Sequence, residues 1–87
     1  MHSFERSDKL IRILKKLYKK DKNMYQAVMK KIEDIVKNYK PEHYKNLAYD
    51  MKDYKRVQIG SFVLIFKEEK SKIRFETFKH HDDVYKR

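Results

Sequence analysis

The run Lys79-His80-His81-Asp82-Asp83-Val84-Tyr85 puts two imidazoles and a phenol next to lysine. Imidazole has a reference pKa of about 6.5 and can give or take a proton near neutrality. Beside a phosphate held by lysines, such groups could supply proton transfer. The same residues also fit a solvated, frayed end of a strand. His and Asp are metal ligands as well, but neighbours on a strand point to opposite faces, so a metal would need a partner from elsewhere. Glu76, just upstream, is either an additional base or an inert exposed carboxylate. His2 and His43 have no recognisable partners and read as surface residues.

For these groups to act they need a rigid support, and the nearest is β. Residues 54–59 alternate Val57 and Ile59 with Arg56 and Gln58, and Gly60-Ser61 predicts a tight turn because Gly supplies positive φ. Residues 62–67 are apolar on both faces, as a central strand would be. Residues 68–72 turn the chain. Residues 73–79 form a third strand, expected to carry Ile73, Phe75 and Thr77 on one side and Arg74, Glu76 and Phe78 on the other.

Upstream, residues 2–6 are a short alternating segment around Phe4. Ser7-Asp8 offers an N-cap, and Leu10, Ile11, Ile13, Leu14, Leu17 and Tyr18 follow with helical spacing to about Lys20. Residues 21–23 cap a second helix whose apolar face is Met24, Tyr25, Val28, Met29, Ile32, Ile35, Val36 and Tyr39. This Met and Tyr stripe reads as core, and the short connection predicts a helical hairpin. Pro41 stops the second helix. Residues 42–53 are a mixed connection with Leu47 and Met51 as core plugs. The predicted fold is α+β, in the order β-α-α-β-β-β, with the hairpin packed on one face of a small antiparallel sheet.

A length of 87 residues gives room for one small domain, 1–87. Lys and Arg total 23 against 13 Asp and Glu, a net +10 that favours a polyanionic partner. The lysine excess also fits the Lys/Glu-rich surfaces of heat-adapted organisms. With no cysteine there are no disulfides or thiolate metal sites. No apolar run approaches the roughly 18 residues needed to span a bilayer, and no signal-like segment opens the chain, so a soluble, cytoplasmic protein is expected. The single Gly excludes a Walker loop and a Rossmann fingerprint, and there is no zinc spacing, RNP signature or helix-turn-helix.

Two segments carry a family resemblance. The run Leu47…Met51-Lys52-Asp53-Tyr54-Lys55-Arg56-Val57-Gln58-Ile59-Gly60-Ser61-Phe62 and the run His80-His81-Asp82-Asp83-Val84-Tyr85, in this element order, resemble the RelE/ParE superfamily of toxin–antitoxin toxins. Archaeal RelE-like sequences in particular resemble the His-His-Asp version. RelE-like members cut messenger RNA in the ribosomal decoding site without a metal or other cofactor, and an antitoxin silences them. ParE-like members poison DNA gyrase and lack the nuclease residues. The resemblance departs at Val63, Gln58 and His81, where basic residues (arginine at Val63 and His81) are common in the family, so the electrostatic clamp is thinner.

The resemblance implies a site. Metal-free cleavage by 2′-OH attack requires a base, positive charge at the phosphate and an acid for the leaving oxygen. His81 or Tyr85 would handle protons, with Arg56 and Lys79 at the phosphate, and Lys52, Lys55, Arg74 and His80 along the RNA backbone. Implied partners are messenger RNA, the ribosome and an acidic RelB-like antitoxin, in a heterotetramer. Val63, Ile65 and Phe78 are expected to form an apolar surface for that antitoxin to cover. The alternatives are a non-enzymatic gyrase inhibitor and a catalytically degenerate member that only binds RNA or antitoxin.

Overall fold

A computed structural model describes residues 3–47 and 53–84. The Ser7 side chain caps the first helix by accepting from the Leu10 N–H at 3.0 Å. Helix α1 (Asp8–Lys20) buries Leu10 and Leu14. A single residue, Asp21, separates it from α2 (Lys22–Asn38). The Asp21 N–H donates to the Leu17 carbonyl at 2.7 Å, closing α1, and its carboxylate accepts from the Met24 N–H at 3.0 Å, opening α2. Pro41 starts a 3₁₀ turn, Pro41–His43, after the helix has ended.

The strands are β1 (Ser3–Arg6), β2 (Lys45–Asn46), β3 (Lys55–Ile59), β4 (Phe62–Glu69) and β5 (Lys72–His80), followed by a short helix α3 (His81–Val84). They form one five-stranded sheet in the order β1-β5-β4-β3-β2. The sheet expected to be antiparallel is mixed, because β1 runs parallel to β5. The helical hairpin between β1 and the meander is the long crossover that a parallel neighbour needs. Strand β2 has only two polar residues, paired with Lys55 and Arg56.

The main core lies between the helices and the sheet, with Leu10, Leu14, Val28, Ile32 and Ile35 against Leu64, Phe66, Ile73, Phe75 and Phe78. A second, smaller cluster lies on the other face: Leu47, Val63 and Ile65, with Tyr54 and Val84 packed against them. Strand β4 is therefore buried on both sides, as its sequence predicts. The expectation of a bare apolar surface fails. Val63, Ile65 and Phe78 are 0%, 1% and 4% exposed. Leu47 and α3 cover the first two, and Phe78 points into the main core. Met51 lies outside the described residues.

The alternation expected for β5 breaks at Glu76. Ile65 pairs with Thr77 but Phe66 pairs with Phe75, so Glu76 is an extra residue, a β-bulge. Residues opposite one another in a ladder share a face. Beyond the bulge the faces exchange: Phe78 joins Ile73 and Phe75 on the helix side, and Thr77 goes to the other. Gly60 has φ +62° at the β3–β4 turn, as expected. The β4–β5 turn is tighter than expected, with Lys70 and Ser71 at φ 52° and 66°. No helix among the described residues is long and apolar enough to cross a membrane.

Candidate functional site

The bulge decides which side chains share a face. On the sheet face away from the helices, Gln58, Val63 and Lys79 form one cross-strand row, and Arg56, Ile65 and Thr77 form the next. Arg56 and Lys79 thus sit on the same face, two strands and one row apart, about 12 Å at ordinary strand spacing and rise. Between them lies the buried Val63–Ile65 pair, with the Thr77 hydroxyl buried and unpartnered beside it. Were Glu76 paired regularly opposite Ile65, Lys79 would instead fall opposite Phe62 and point toward the helices.

Helix α3 leaves the end of β5 and folds over this face, because Val84 packs on the Val63–Ile65 cluster. Its start is pinned to the β3–β4 turn, where the His81 N–H donates to the Ser61 carbonyl at 2.9 Å. The two segments that carry the sequence resemblance are therefore joined through space, by this hydrogen bond, by the pairing of Phe62 with His80 and by Val84 on the cluster of Leu47 and Tyr54. His81 opens α3 half-buried, with Nδ1 3.8 Å from Asp82 Oδ1.

The remaining expected residues separate. His80 faces the helix side, edge-on to Phe62 with ring centroids 5.4 Å apart, and its Nδ1 accepts from the Asp82 N–H at 3.2 Å. Lys55 pairs with Phe66, and its ammonium donates to Asn46 Oδ1 at 2.8 Å. Arg74 lies on the Arg56 face but at the β1 side. Its guanidinium donates to Glu5 and, at 3.0 Å, to Glu76 Oε2. Lys72 adds a contact of 3.4 Å to Glu5. Arg74, together with Lys72, holds the Glu5 carboxyl below the usual carboxylate range. Glu76, weighed as a base, is thus engaged by Arg74. Tyr85, Lys52 and His2 lie outside the described residues.

Sequence reasoning did not identify Thr77 or the bulge beneath it. A signal was present: Ile73, Phe75 and Phe78 are spaced by two and then three, which a regular strand does not give. Among the described residues, no three of His, Asp or Glu come together as a metal site.

No family model matches the chain. It is 44% identical over 90 residues to a protein of Methanocaldococcus jannaschii that carries the toxin name RelE4, spanning 100% of this chain and 94% of that protein. Its fold is similar to that of YafQ from E. coli, with a TM-score of 0.71 at 20% identity, covering 98% and 99% of the two chains. It is also similar to a chain of the heterotetrameric YoeB–YefM toxin–antitoxin complex from Staphylococcus aureus, with a TM-score of 0.73 at 15% identity, covering 93% and 98%.

Proposed function

Because the chain belongs to the RelE/ParE superfamily of toxin–antitoxin toxins, on its RelE-like side, we propose that it is a ribosome-dependent messenger-RNA endonuclease silenced by an acidic antitoxin. The observation that carries this reading is the pairing of Arg56 and Lys79 on one sheet face, with α3 and His81 folded beside them. The reaction needs no cofactor from outside the chain. The 2′-OH attacks the adjacent phosphorus and the 5′-oxygen leaves. Arg56 and Lys79 approach the phosphate from two strands and stabilise the charge that grows on its oxygens. His81 and Tyr85 divide the proton transfers, and Lys52 adds charge along the RNA. Arg74, neutralised by Glu5 and Glu76, contributes mainly to the sheet edge.

The antitoxin partner and a heterotetrameric assembly are supported by the YoeB–YefM complex. Charge supports it too, since an acidic segment complements a chain of net +10.

Cleavage of messenger RNA on programmed ribosomes tests the reading. The native chain is expected to cut in the decoding site, and Tyr85→Phe and His81→Ala are expected to abolish the cuts. Cutting that survives both changes would keep the enzyme and remove these residues from its site. One observation favours a second reading, a ParE-like gyrase inhibitor: the centre of the face is filled by buried Val63 rather than by a cation. In that case ribosomes yield no cuts, and a gyrase assay yields linearised plasmid.

A further inference from the structure

Helix α1 carries Lys9, Arg12, Lys15, Lys16, Lys19 and Lys20, all exposed, and Asp8 as its one carboxylate. Six cations against one carboxylate leave +5 on this helix, half of the chain's +10. At 3.6 residues per turn, Lys9, Arg12, Lys16 and Lys19 fall on one line, opposite the buried Leu10 and Leu14.

This stripe differs from an ordinary solubilising surface. Like charges four residues apart repel, and three such pairs occur: Arg12 with Lys16, Lys16 with Lys20, and Lys15 with Lys19. A helix selected for stability places glutamates at those spacings, as α2 does with Glu33 and Lys37 at 3.5 Å. Heat-adapted surfaces likewise interleave both signs in ion-pair networks. Among the described residues, none of the six α1 cations has a carboxylate within ion-pair distance, whereas Lys37, Lys67, Lys72 and Arg74 each do.

The stripe is also in the wrong place to serve the cleavage face. Helix α1 packs on the opposite side of the sheet from Arg56 and Lys79, and the chain measures 22 Å along its shortest axis. An RNA strand lying across Arg56 and Lys79 does not reach the outer side of α1. We propose that the outer face of α1 is a second RNA-binding surface, which grips the phosphate backbone of a structured RNA while the sheet face engages the strand to be cut. Five of its six cations are lysines, point charges without the fork geometry that reads bases, so the surface recognises backbone rather than sequence. This goes beyond the cleavage reading and stands without it.

The test is fluorescence anisotropy with a short RNA duplex, titrated at several salt concentrations. Three proteins are compared with the native chain: Arg12→Gln/Lys16→Gln/Lys19→Gln; a charge-matched control, Lys30→Gln/Lys31→Gln/Lys70→Gln; and Arg56→Gln/Lys79→Gln. The α1 variant loses self-repulsion and is expected to fold, which circular dichroism checks. Its affinity should fall about tenfold or more at low salt, with the salt slope shallower by about 2–3. The control should stay within about threefold of native, and the sheet-face variant, which loses two cations of the cleavage face, should lose less affinity than the α1 variant. If the control loses as much as the α1 variant, only net charge matters and the proposal falls. It falls too if the sheet-face variant alone loses binding, an outcome that leaves the cleavage reading intact. If the α1 variant keeps RNA but loses an acidic helical peptide, the stripe serves a protein and not RNA.

Discussion

The Ser7 hydroxyl donates to the Glu76 carbonyl at 2.5 Å, across 69 positions of sequence. The same oxygen accepts from the Leu10 N–H, and the Ser7 N–H donates to the Phe75 carbonyl at 2.9 Å. One buried side chain therefore caps α1 and satisfies the carbonyl that the bulge takes out of the β4–β5 ladder. Removing it leaves a helix start uncapped, about 1 kcal/mol, and a carbonyl unsatisfied, about 1–3 kcal/mol. Ser7→Ala is expected to destabilise the chain by about 2–4 kcal/mol by these figures. Ser7→Thr, which keeps the hydroxyl, should recover most of that. Urea unfolding of the three proteins measures both effects, and equal stability for Ala and Ser would show that the bulge needs no support.

The two tight turns make opposite expectations. Gly60 has φ +62°, and a Cβ there would meet Met24 Cε at 3.3 Å. Gly60→Ala should cost about 1–2 kcal/mol, the penalty for a left-handed L-residue. At the other turn, Lys70 and Ser71 already bear positive φ without being Gly. Ser71→Gly relieves that strain but adds about 0.5–1 kcal/mol of unfolded-state entropy. A net gain of up to about 1 kcal/mol is expected from the difference. Thermal unfolding of both variants should shift in opposite directions.

These two features also show what the sequence made legible. The helices were readable because their apolar residues recur at helical spacing and because Ser7 and Asp21 are side-chain caps. Gly60 marked its turn because positive φ favours Gly. Lys70-Ser71 carries no such signature; it is forced by the pairing of Glu69 with Lys72. The bulge left only the Phe75-to-Phe78 spacing, and a one-residue slip reverses every side chain after it. Hence Lys79, His80 and His81 were legible as a cluster, while their distribution over two faces and a helix start was not. The second core depends on Leu47 arriving from a connection, which periodicity in the strands cannot reveal.

The carboxylate of Glu5 gives a pH signature. Arg74 chiefly, and Lys72 with it, favour its charged form, so its folded pKa lies below its unfolded value. The stability it lends is fully present above the unfolded value of 4.5 and is lost as pH falls through the lower folded one. Native and Glu5→Gln proteins should differ in urea midpoint near neutrality and converge in the acid limb, as pH falls from 4.5 through the lower folded pKa. A difference that stays constant to low pH would mean that Glu5 acts by packing rather than by charge.

Lys79 and His80 are neighbours whose side chains part company, and their variants should part too. Lys79 shares the Arg56 face, while His80 stands against Phe62 on the helix side. If Arg56 and Lys79 stabilise the reacting phosphate, losing either cation should lower the cleavage rate constant about 10²–10³-fold, as for loss of one transition-state donor. The change belongs mainly in kcat, because charge on the phosphate oxygens grows only as the bond forms. His80→Gln should leave the rate within about threefold, as a group outside the reacting geometry does. Deleting Glu76 removes the extra residue but leaves Phe75 opposite Phe66, Thr77 opposite Ile65 and Lys79 opposite Val63, so Lys79 keeps its face. That variant should therefore retain cleavage if it folds, and adding Lys79→Gln to it should lower the rate as it does in the native chain. A His80→Gln defect as deep as that of Lys79→Gln would place the reacting phosphate at the strand end, on the Phe62 side, and not over the Val63–Ile65 face.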